Sequence, residues 1–138
     1  MMTKSTGNLS SNNPIICAID TTDIAKAKKL VQSVRDSVGM IKLGLEFFTA
    51  NGVAGVREVA GDIPLFLDLK FHDIPNTVAG AIRATAAINT SIITIHASGG
   101  KAMMQAASKA AKSLPSSPII VGVTALTSLD DDDLKAIG

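Results

Sequence analysis

Five short apolar runs recur about every 25 residues, at 15–20, 40–44, 64–70, 92–96 and 118–124, and no other feature limits the possible folds as much. Each run is β-branched or leucine-rich and is bounded by Gly, Pro or polar residues, the pattern of a short buried strand. The segments between them carry apolar residues at helical spacing. Over 23–38 these are Ile24, Ala27, Leu30, Val31, Val34 and Val38, with Gly39 placed to stop the helix. Further helices are predicted over 49–60, closed by Gly61, over 77–88 and over 101–114, and a fifth opens near Ser128. Strand and helix alternating at this period imply repeated βαβ units and a parallel sheet.

The chain has no Trp or Tyr, so aliphatic side chains must fill the core. That suits parallel strands covered by helices. Open doubly wound sheets and closed barrels both fit the alternation. No Gly-rich fingerprint follows the first strand, which removes the main signal of a dinucleotide fold. Polar or ionisable residues stand near the C-terminal ends of all five strands: Asp20, Lys42, Asp68 with Lys70, His96 and Thr124. Barrel enzymes build their sites at that face. The expected fold is therefore an α/β, (β/α)8 TIM barrel, incomplete here. A whole one takes typically about 250 residues, and these 138 supply about five of eight βα units. Residues 1–13, polar and rich in Ser, Thr and Asn, are expected to form a disordered leader to a domain over 14–138.

Several function classes fall away. A net charge of +1 without a basic stripe leaves no electrostatic footprint for nucleic acid. The apolar runs are too short to cross a bilayer, and the N-terminus lacks the apolar core of a signal peptide. Cys17 is expected to be a small buried hydrophobe, and one cysteine builds no disulfide framework, which fits a cytoplasmic protein. The acidic run from Asp130 to Asp133 complements the dipole of a helix start.

The third strand carries the chemistry. In Asp68-Leu-Lys70 the two charged side chains share one face while Leu67 and Leu69 take the other. Asp73 follows just after, and Lys42 comes from the neighbouring strand. Two carboxylates and two ammonium groups are thus available to one site. Alternating charges keep each other ionised, so Lys70 would stay protonated and could act as a general acid towards a developing carbanion. The same Asp-x-Lys pattern also fits a salt-bridge ladder that only ties strands together.

Asp68-Leu-Lys-Phe-His-Asp-Ile-Pro-Asn-Thr77 resembles, residue for residue, the signature segment of the orotidine 5′-phosphate decarboxylases. The likeness extends to Ala18-Ile-Asp20, Lys42-Leu-Gly-Leu-Glu-Phe-Phe-Thr49, His96-Ala-Ser-Gly-Gly100 and Val123-Thr-Ala-Leu-Thr-Ser128, in the right order and spacing. The resemblance implies decarboxylation of orotidine 5′-monophosphate to uridine 5′-monophosphate, with no metal and no organic cofactor. It makes Lys70 the proton donor to C6 and sets Asp68 against the substrate carboxylate. Lys42 would bridge Asp68 and the ribose, whose hydroxyls Asp20 would bind. Asp73 would complete the array across a homodimer interface, bringing Ile74 and Thr77 to the partner's site, and Thr127 would contact the pyrimidine.

The remaining features have plainer readings. His72 and His96 have no partner at metal-ligand spacing and are expected to be scaffold or pocket residues. Gly99-Gly100 is expected to form a tight turn, and Met103-Met104 to pack a helix. The family's phosphate grip lies in loops after its sixth to eighth strands. This chain is therefore expected to be a truncated, cleaved or split product, inactive alone. Two alternatives share the strand pattern: a Mg²⁺-dependent sugar-phosphate decarboxylase or synthase of the same suprafamily, and a non-catalytic half-barrel fragment.

Overall fold

The computed structural model describes residues 13–137. The leader expected over residues 1–13 lies outside them, apart from Asn13. That side chain donates to the Ser37 carbonyl at 2.9 Å and accepts the Ile15 N–H at 3.0 Å.

Five strands form one sheet: β1 (Ile16–Ala18), β2 (Met40–Gly44), β3 (Leu65–Phe71), β4 (Ile92–His96) and β5 (Ile119–Val123). They lie in the order β1-β2-β3-β4-β5, and each pair is parallel. The expected strands and the α/β class are borne out. The connecting helices are α1 (Ile24–Val34), α2 (Leu45–Ala60), α3 (Pro75–Ala84) and α4 (Gly100–Lys112), and α5 (Asp131–Ile137) follows β5.

Strand alternation sorts the side chains. Ile41, Leu43, Leu65, Leu67, Ile93 and Ile95 face the helices and are at most 2% exposed. They meet Ala27, Val31, Val56, Val78, Ile82, Met103 and Ala107 from the helices in one continuous core. At about 25 cal/mol per Å² of apolar surface removed from water, this cluster is the main favourable term in the fold. Ile16, Ile119 and Val121, on the other face of the edge strands, are 40–49% exposed.

The helix boundaries depart from expectation in four places, one of them α3, which starts at Pro75 and gives way after Ala84 to a 3-10 turn over Thr85–Ile88. Helix α1 starts as expected, with Asp23 capping the Lys26 N–H at 2.9 Å, but ends at Val34 rather than at Val38. Its C-terminal residues turn back instead, with Ser37 donating to the Val34 carbonyl. Helix α2 begins four residues before the expected Thr49, directly on β2. It is broken at Gly52, where φ is 60° and ψ is −165°. That left-handed backbone is one that glycine adopts without steric cost. Helix α5 starts at Asp131, not Ser128, because Asp130 is its cap and accepts the N–H groups of Asp132 and Asp133 at 2.9 Å. The acidic run therefore stands at a helix start, as expected.

Candidate functional site

The charged cluster forms where the C-terminal ends of β2 and β3 meet. Lys70 Nζ lies 2.9 Å from both carboxylate oxygens of Asp68, and Lys42 Nζ lies 3.3 Å from Oδ2. The strand register pairs Lys42 with Phe66, one inward-facing row below Asp68. The four-carbon stem of Lys42 spans that step. Asp68 is 9% exposed, whereas about a third of each lysine side chain remains open. The carboxylate is thus the buried centre and the ammonium groups are its solvent-facing shell.

Asp68 titrates below its ordinary value of 3.8. Burial alone would raise it, since it penalises the charged form. Hydrogen bonds from Lys70, Thr94 and Lys42 outweigh that effect, aided by the Lys70 charge.

The geometry at Lys70 goes beyond simple alternation. Leu67 pairs with Ile93 and Phe71 with Ile95, so β3 spends two more residues over this stretch than β4 does. Lys70 absorbs the bulge with a φ of 51°, in the left-handed region. That conformation costs a non-glycine residue about 1–2 kcal/mol. The insertion of two residues preserves side-chain parity, so Asp68 and Lys70 still share a face, as expected.

An open cleft of about 260 Å³ lies over this cluster, lined by Asp20, Lys42, Glu46, Asp68 and Lys70 among others. Asp20, two residues past the end of β1 and next to the buried Ile19, is exposed there. The structure therefore unites Asp20, Lys42, Asp68 and Lys70. It does not bring the rest to them within this chain. Asp73 is exposed and accepts the N–H of Ile74 at 2.6 Å. Ile74, 67% exposed, caps α3, and Thr77 lies exposed in that helix's first turn. Thr127 lies exposed between β5 and α5.

His72 and His96 face one another with ring centroids 5.2 Å apart. Gly99 packs against Met103 and Gly100 has a φ of 87°, which agrees with the tight turn read from the sequence. Cys17 is half-buried against the core rather than fully enclosed, because β1 is an edge strand.

Two residues of the site escaped the sequence reading. Glu46 reaches the cleft because α2 begins at Leu45. Thr94 is 3% exposed, donates to Asp68 Oδ1 at 2.9 Å and accepts the Lys70 N–H at 2.9 Å. It is the one polar residue between the apolar positions of Ile92-Ile-Thr-Ile, and its strand parity could have marked it.

Residues 13–138 match the family model described as orotidine 5′-phosphate decarboxylase / HUMPS family. An orotidine 5′-phosphate decarboxylase of Rhodospirillum rubrum is 53% identical over 135 residues, covering 93% of this chain and 55% of that protein. Among solved structures, the orotidine 5′-phosphate decarboxylase of Lactobacillus acidophilus superposes with a TM-score of 0.80 at 32% identity, over 90% of this chain and 58% of its own. The Methanocaldococcus jannaschii enzyme complexed with the inhibitor BMP gives a TM-score of 0.66 at 27% identity, over 71% of this chain and 46% of its own. The chain spans about half the length of the curated relatives it matches.

Proposed function

Because the chain belongs to the orotidine 5′-phosphate decarboxylase / HUMPS family, we propose that it supplies the charged half of an active site that decarboxylates orotidine 5′-monophosphate to uridine 5′-monophosphate. The observation that carries this reading is the ion triad, a carboxylate at the floor of an open cleft held between two ammonium groups. An ammonium fixed at the cleft is poised to stabilise charge developing on a carbon atom and then to neutralise it.

In the proposed reaction the C6–carboxylate bond breaks, CO₂ leaves, and the electron pair remains on C6. Lys70 stabilises that carbanion and delivers its Nζ proton to C6, then regains a proton from solvent. Asp68 faces the departing carboxylate, and their repulsion falls as CO₂ leaves. Lys42 bridges Asp68 and the ribose, whose hydroxyls Asp20 binds. No metal or organic cofactor is required, since Lys70 supplies both charge and proton. Thr127 contacts the pyrimidine.

We assign Asp73, Ile74 and Thr77 to the neighbouring site of a homodimer, which suits their exposed position around the start of α3. The cytoplasm is the proposed compartment. The phosphate group is assigned to barrel segments that the relatives possess and these residues do not include. Binding energy from that remote group drives the chemistry at the reacting carbon.

The test follows the absorbance change of orotidine 5′-monophosphate in two proteins: this chain alone, and this chain completed with the matching remainder of a relative. Turnover by the completed barrel alone, undiminished by a metal chelator, is the expected result. A folded completed barrel without turnover refutes the assignment. Turnover that collapses on chelation favours the sugar-phosphate branch of the suprafamily.

A further inference from the structure

Asp68, Leu69 and Lys70 stand between the pairings Leu67–Ile93 and Phe71–Ile95, where β4 offers only Thr94. A ladder that loses positions on one side leaves backbone groups on the other without partners, and a buried N–H must find one elsewhere. The Lys70 N–H finds the Thr94 hydroxyl. A hydroxyl has one proton to give, and here that proton goes to Asp68 Oδ1. The direction of the chain is therefore fixed, from Lys70 N–H through Thr94 O–H to the Asp68 carboxylate. Each bond polarises the next. Thr94 is 3% exposed, so solvent has little access to replace it.

We propose that Thr94 is a positioning residue for the decarboxylation. One hydroxyl locks the left-handed backbone of Lys70 to the carboxylate that the Lys70 side chain also grips. Main chain and side chain of Lys70 thus close a ring through Asp68 and Thr94. This ring fixes the direction in which the ammonium approaches the cleft. The proposal rests on the reaction assigned above, in which Lys70 is the proton donor.

Thr94→Val keeps the branched shape and removes the hydroxyl, and Thr94→Ser restores it. Thr94→Ala serves if the valine variant does not fold. Two readouts are taken, the first in this chain and in the completed barrel, the second in the completed barrel. The first is the titration of Asp68 by carbon NMR, with Lys70 on the same strand, Lys42 from β2, and Asp20 and Glu46 across the cleft as the other charges facing it. Thr94→Val should move this titration to higher pH, and Thr94→Ser should return it. The second is the division between kcat and KM. Thr94→Val should lower kcat roughly 10- to 100-fold with KM changed no more than about threefold, and serine should recover most of kcat.

An unmoved Asp68 titration, an unchanged kcat, or a folded serine variant as impaired as valine overturns the proposal. If the unsubstituted completed barrel shows no turnover, the assigned reaction falls. The Asp68 titration then decides whether Thr94 holds the carboxylate.

Discussion

Lys70 donates to both carboxylate oxygens of Asp68 at 2.9 Å, so one ammonium spans the whole face of the anion while Lys42 closes on Oδ2 from the adjacent strand. This arrangement makes Asp68 the keystone of the cluster, because both lysines lose their counter-charge when it is neutralised.

Asp68→Asn keeps the shape and removes the charge. Turnover of the completed barrel should fall on the order of 10³-fold, the scale of removing a preorganised electrostatic contact. Stability should fall by about 1 kcal/mol, as the two ammonium groups lose their shared partner. Steady-state kinetics and urea unfolding measure the two effects separately.

The pH dependence has a definite sign. The folded carboxyl of Asp68 titrates below its ordinary 3.8, so the folded state binds this proton less readily than the unfolded chain does. Its contribution to stability is fully present above the unfolded value and is lost as pH falls through the lower folded value. Urea unfolding of the unsubstituted protein and Asp68→Asn should therefore differ most near neutrality. The two should converge below about pH 3.8. A gap that widens on acidification would contradict the assigned direction.

The bulge at Lys70 allows backbone strain to be separated from charge. Lys70→Ala and Lys70→Gly both remove the ammonium, but only glycine relaxes a φ of 51°. Lys70→Gly should be the more stable variant by about 1 kcal/mol in chemical denaturation. Equal stabilities would mean that this backbone stores no strain.

Thr90 offers a test outside the site. It is 2% exposed, and its hydroxyl has no hydrogen-bond partner among the described residues. Valine matches its shape without the unpaired oxygen. Thr90→Val should raise stability by about 1 kcal/mol and leave turnover unchanged, as thermal and urea unfolding would show.

The parts legible in the sequence were those set by local pattern. Apolar runs located all five strands, and their alternation placed Asp68 and Lys70 on one face, away from Leu67 and Leu69. The helix faces followed in the same way at Ala27, Val31 and Ile82, whereas Leu30, read onto the same face, is 37% exposed. The β3 bulge was not legible, because it is a property of how β3 meets β4 and neither strand alone displays it. Thr94 escaped for the same reason, since its partners lie 24 and 26 positions away along the chain. Glu46 was missed because helix α2 begins directly on β2, where Gly44 in an extended conformation replaces the usual side-chain cap.

The sheet order has a consequence for how the protein is made. Each described strand after β1 pairs with the strand that precedes it in sequence, so the docking edge for β2 to β5 is always an earlier segment. As the chain emerges from the ribosome, the edge that β2, β3, β4 or β5 pairs with is in each case synthesised before the strand itself. The growing edge moves outward with synthesis. Lys42 is therefore translated before the Asp68 it grips, and both before Thr94. The bulge can close only once Thr94 has been made, so the seating of Lys70 depends on β4 and not on its own strand alone.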